Sequence, residues 1–211
     1  MPTPDQILEG LQRLSTQFTG LALLWHIAAG ALLIAIAAGR RPSRRTMGIL
    51  LTLPLLSVSL LAWLDGNPFN GSMFAVLAAA LLIIGWRFAK EPVSVDTKWK
   101  YAAVIIIAFA WAYPHFQAGT GVWHYLLTAP LGLVPCPTLS MVIGVTMLLG
   151  GLGSKSWTRV LGAAGILYGS FGAFRLGVTV DIVLLAAAIL LFVLPTRDAQ
   201  QAVPTQDGTA D

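Results

Sequence analysis

The sequence predicts an all-α fold, a polytopic transmembrane bundle of seven helical spans with the N-terminus outside and the C-terminus in the cytoplasm. A proline-broken segment precedes the fifth span. Three observations carry this. Of 211 residues, 56% are apolar and only 10% charged, whereas a soluble domain carries about 25% charged residues. Apolar windows near 20–39, 47–64, 71–88, 101–115, 137–153, 157–174 and 178–195 approach the roughly 20 residues that cross about 30 Å of hydrocarbon. The basic residues divide unevenly between the loops that these windows leave. With the N-terminus outside, Arg40, Arg41, Arg44, Arg45, Arg87, Lys90, Lys98, Lys100, Lys155, Arg159 and Arg197 fall on the cytoplasmic side, and only Arg13 and Arg175 fall outside. Short loops rich in Lys and Arg stay in the cytoplasm, so this division fixes an inner-membrane, multi-pass reading.

Residues 1–19 precede the first span as an amphipathic helix lying at the outer interface. Thr3-Pro4-Asp5-Gln6 offers a capping threonine, proline at the first helical position and glutamine three residues past the cap. Ile7, Leu11, Leu14 and Phe18 then share one face. No basic and apolar leader regions of a signal peptide are seen in this stretch. The arginines Arg40, Arg41, Arg44 and Arg45 between the first two spans are placed to meet anionic lipid head groups. The net charge of +4 follows from such loops and gives no reason to invoke nucleic acid. Asp65-Gly66-Asn67-Pro68-Phe69-Asn70 reads as a tight outer turn. The fourth window ends at Tyr113-Pro114-His115, where proline closes or kinks the helix.

The stretch from Trp123 to Val134 is too apolar for an ordinary loop, yet Pro130, Pro135 and Pro137 forbid a straight helix. Irregular backbone at membrane depth survives only when buried in protein or lining a wet cavity, so this stretch reads as a partly re-entrant or outer-surface segment. The fifth span then opens at Pro137 with Cys136 at its N-cap. On the sixth, Gly162, Gly165, Gly169 and Gly172 form a small-residue face for close helix packing, within the chain or as a homo-oligomer contact. Span seven has no lysine, which excludes a retinal Schiff base. The tail over 196–211 is polar and expected to be disordered. The domain organisation is thus 1–19, a membrane domain over 20–195, and that tail.

Several constellations bear chemistry. Pro135, Cys136, Pro137, Thr138 and Ser140 surround a helix N-terminus, where orphan N–H groups attract an anionic group of a solute. The plain alternatives are a cysteine filling space and a cap completed by Thr138 or Ser140. His26, His115, His124 and Cys136 fall in the outer half and form a candidate metal set, although no pair shows ligand spacing on one helix. Arg175 and Asp181 flank the last turn and read as an outer ion pair, with Asp181 in the first turn of its helix. A single cysteine excludes a disulfide framework. No Ser/His/Asp order, phosphate loop or paired catalytic carboxylate stands out, so the chain reads away from an enzyme, and no cofactor is required.

Around Pro135-Cys136-Pro137-Thr138 the chain resembles the uncharacterised bacterial membrane family called domain of unknown function 6064, whose members carry a Pro-Cys-Pro-Thr run opening a late span. The likeness extends over spans two to seven, including Asn67-Pro68-Phe69-Asn70 and the connection before the last helix. Where a Tyr-His pair would precede the Asn-Pro turn, this chain carries Leu64-Asp65, so no histidine site carries over. The resemblance implies the fold and no activity. Three functions follow from the residues. The first is binding or passage of a small solute or ion at an outward-facing cavity near Pro135 and Ser140. The second is a membrane-embedded metal or thiol redox role through Cys136, His115 and His124. The third is a structural subunit of a membrane complex.

Overall fold

The computed structural model describes residues 3–113 and 122–194, apart from the side chains of residues 122–124. Helix α1 (Pro4–Gln17) starts as its sequence dictates. The Thr3 hydroxyl accepts the Gln6 N–H, and the Gln6 side chain accepts the Thr3 N–H at 2.9 Å. Only Phe18 separates it from α2 (Thr19–Ala37). The Ser43 hydroxyl caps α3 (Arg44–Leu64) by accepting the Thr46 N–H at 3.1 Å, and the Asn67 side-chain oxygen caps α4 (Pro68–Trp86) by accepting the Asn70 N–H at 3.1 Å. The predicted turn between α3 and α4 is therefore a helix cap with proline in the first helical turn.

The helices α2, α3 and α4 are each long and apolar enough to cross a membrane. Their outer faces carry Leu24, Ile27, Ile34, Leu60 and Val76, each more than half exposed. A continuous exposed surface of this kind belongs in lipid. The chain continues through α5 (Lys100–Trp111), α6 (Val122–Thr128), α7 (Pro135–Leu148), α8 (Lys155–Ser170) and α9 (Ile182–Val193). A π-helical turn, Phe171–Arg175, prolongs α8, and a 3-10 turn, Thr179–Asp181, leads into α9. All described regular structure is helical, apart from one isolated bridge between Ser43 and Pro92. Each of the seven apolar windows carries a helix, although α5, α7 and α9 are shorter than a full crossing.

Helix α7 is the axis of the bundle. It packs against α3, α5, α8 and α9, and every residue of it except Cys136 is buried. It opens at Pro135, with Val134 as N-cap, which corrects the expected start at Pro137. Both prolines fit because the first turn of a helix has no acceptors for their missing N–H groups. Cys136 is consequently the second helical residue rather than the cap.

Glycines set the close crossings. A Cβ on Gly48 of α3 would come within 2.9 Å of the Gly85 Cα on α4. On α8, Gly162 faces the Ala188 carbonyl, Gly165 the Ala188 and Ile143 side chains, and Gly169 the backbone of Leu185. That face packs on α9 and α7 of the same chain.

The basic connections gather at one end. Arg44 is central there. Its Nε donates to the Leu152 carbonyl at 2.7 Å and its Nη2 to the Gly153 carbonyl at 3.0 Å, while its guanidinium lies over the Phe88 ring. The turn it holds is strained: Gly150, Gly151 and Gly153 have φ of 60, 67 and 62°, and the buried Leu152 has φ 53°. A side chain in that region costs about 1–2 kcal/mol, and the arginine clamp offsets it. Arg41 donates to the Ile36 carbonyl and Arg45 to the Phe88 carbonyl, so these residues add charged donors at the end of α2 and after α4. Replacing Arg44 by leucine is expected to lower stability by about 2–3 kcal/mol, the worth of hydrogen bonds from a charged donor. Lysine should recover only part, because an ammonium lacks the planar fork. Thermal unfolding of detergent-solubilised protein measures both; a leucine variant as stable as the parent would remove the clamp from this account.

Candidate ligand-binding cavity

At the opposite end, a cavity of about 320 Å³ lies where α1, the start of α4, the start of α7 and the end of α8 converge. Its volume is at the lower end of the range for small-molecule sites. Pro4, Ile7 and Leu11 of α1 form one wall. Leu11 and Leu14 are buried against Leu61, Tyr113, Leu133 and Val134, so the apolar face of α1 lies on the bundle. Arg13 ties the helix down through an ion pair to Asp65 at 2.9 Å. Phe69, Tyr168 and Phe171 supply aromatic walls, and Asn70, Cys136, Arg175 and Asp181 supply the polar groups.

The polar groups are positioned from several elements. Asp181, only 1% exposed, is the N-cap residue of α9, but its carboxylate does not cap the helix. It turns inward and accepts the hydroxyl of the fully buried Tyr113 at 2.6 Å, a length typical of a charge-assisted bond. The Cys136 thiol lies beside both groups and interacts with each. Gly172 completes the seat. A Cβ there would overlap the second carboxylate oxygen of Asp181, so only glycine admits the carboxylate. Nearby, Tyr168 donates its hydroxyl to the Asn70 side-chain oxygen at 3.0 Å and meets Phe74 edge to face.

Of the residues singled out in the sequence, Pro135 and Cys136 line the cavity, whereas Pro137, Thr138 and Ser140 are buried behind it. Thr138 accepts the Gly132 N–H and donates to the Val134 carbonyl at 2.7 Å, so it braces the preceding turn. The Ser140 hydroxyl is buried with no partner among the described residues. Arg175 and Asp181 share the cavity wall without pairing. The ion pairs among the described residues are Arg13–Asp65 and Arg44–Glu91, and the inward turn of Asp181 toward Tyr113 is the reason the expected pair is not formed. His26 is buried in α2, its ring nitrogens 2.8 and 3.0 Å from the carbonyl oxygens of Ala22 and Trp111, and it reaches neither the cavity nor Cys136. His115 and the side chain of His124 lie outside the described residues, as does the tail over 196–211. Among the described residues no three His, Cys, Asp or Glu side chains gather as a metal site.

Tyr113, Asn70, Tyr168 and Gly172 complete the site without having been singled out as its members. Two of them carried a signal: Tyr113 precedes the proline that ends its window, and Asn70 closes the Asn-Pro turn. The chain matches no protein-family model, no curated protein and no solved structure.

Proposed function

We propose that the chain is a seven-span protein of the inner membrane, N-terminus outside and C-terminus in the cytoplasm, that binds a small solute in this cavity from the outer face. The observation that carries the reading is the cavity itself, apolar-walled with a few convergent buried polar groups at its base, which is the usual make-up of a small-molecule site. The orientation is supported by the crowding of basic connections at the end away from the cavity. The Asp181 carboxylate, held by the Tyr113 hydroxyl, and the Cys136 thiol with the Asn70 side chain are the polar groups at this site, with α1 as its cover.

Because Cys136 is the only cysteine, it reports on the cavity without engineering. A small, charged, membrane-impermeant methanethiosulfonate added outside intact spheroplasts is expected to label it. An Ile7→Trp variant, which fills the cavity under α1, should slow that labelling by about tenfold for roughly 1.4 kcal/mol of blocked access. Labelling that occurs only from the cytoplasmic side, or that ignores Ile7→Trp, would sink the proposal.

A further inference from the structure

We infer that the molecule held in this cavity is a small organic ammonium with an apolar body; the inference rests on the cavity being a binding site. Four observations point the same way. The Asp181 carboxylate is 1% exposed, and no cation pairs with it among the described residues. Removing a carboxylate from water costs several kcal/mol unless charge and hydrogen bonds are returned to it. Tyr113 returns one bond, and the thiol of Cys136 adds a weak contact. An ammonium in the cavity would return the charge.

The walls suit such a guest. Phe69, Tyr168 and Phe171 present three aromatic rings to one space, and cations are held over aromatic faces by the ring quadrupole. The opposite charge is poorly served. Pro135 and Pro137 delete two of the first-turn N–H groups with which α7 would hold an anion. The start of α9 faces a carboxylate already present, Asp181 itself. Arg175 does line the same wall, but it is exposed, so water and salt screen its repulsion. Gly172 fits the same design, since any side chain there would push the carboxylate out of its seat.

Three isosteres test the charge: benzylammonium, benzyl alcohol and benzoate, added to the protein in lipid nanodiscs while N-ethylmaleimide alkylates Cys136. Benzylammonium is expected to protect half-maximally at a concentration about tenfold below that of benzyl alcohol, and benzoate not at all. Asp181→Asn should abolish the advantage of the amine. Phe171→Leu, a change at a half-exposed position, should weaken the amine by about threefold and benzyl alcohol less. Benzoate protecting as well as the amine, or an amine advantage that survives Asp181→Asn, would overturn the inference. If the alcohol or benzoate protects and the amine does not, the cavity stands and the ammonium falls. If none of the three protects, the cavity reading fails and the ammonium with it.

Discussion

Replacing Gly132 by alanine is expected to destabilise the protein by about 3 kcal/mol. Two costs add. Gly132 has φ +73°, in the left-handed region where a Cβ costs about 1–2 kcal/mol. The same Cβ would also stand in the space filled by the Trp25 indole, and overpacking of this kind typically costs a further 1–3 kcal/mol. The indole has no easy retreat, because its N–H donates to the Ser57 hydroxyl at 3.1 Å and so locks α2 onto α3. The Gly132 N–H is itself held by Thr138, which ties the turn to the first turn of α7. Thermal unfolding in detergent checks the size, and a Trp25→Ala background separates the causes. There the alanine should cost only the backbone part, about 1–2 kcal/mol. A loss below about 1 kcal/mol in the parent would show that the turn yields freely and is no anchor for α7.

What the sequence made legible, and what it did not, divides along the reach of the chemistry. The cap at Thr3 was readable because donor and acceptor lie three residues apart, whereas Asn67 read as part of a turn and the structure makes it the cap of α4. The spacing of Gly162, Gly165 and Gly169 was readable as a packing face because helical periodicity is local, although only the structure assigns that face to α9. The crowding of arginines was readable too. Their use was not: Arg44 finds the Leu152 carbonyl 108 residues away. Asp181 shows the same limit. Sequence proximity offered Arg175, while the fold offered Tyr113 from 68 residues away and placed Cys136 beside both. His26 looked like a ligand from its depth in the first window, yet one of its ring nitrogens faces the carbonyl four residues back and the other the end of α5. Buried polar groups take whichever partner the packing brings, and packing between distant helices leaves no mark in local spacing.

The Gly172→Ala variant follows from that long-range chemistry and is expected to cost about 3 kcal/mol, in a way that a double-mutant cycle can trace to one contact. The added Cβ would overlap one carboxylate oxygen of Asp181 and stand 2.8 Å from its Cγ. The carboxylate must then turn away, which also gives up the bond from Tyr113, and a hydrogen bond to a charged group is worth about 1.5–3 kcal/mol. Asp181→Ala removes the obstacle at the cost of that same bond. In the Asp181→Ala background, therefore, Gly172→Ala should cost less than about 1 kcal/mol, a coupling of roughly 2 kcal/mol between two residues that touch. Tyr113→Phe discriminates further. It gives up the bond but keeps the clash, so Gly172→Ala should remain costly beside it, reduced only by the share that the lost bond contributed. Equal penalties for Gly172→Ala with and without the Asp181 side chain would mean that the glycine serves the π-helical turn of α8 alone. The carboxylate would then sit there by accident of packing, and the base of the cavity would not be a built feature.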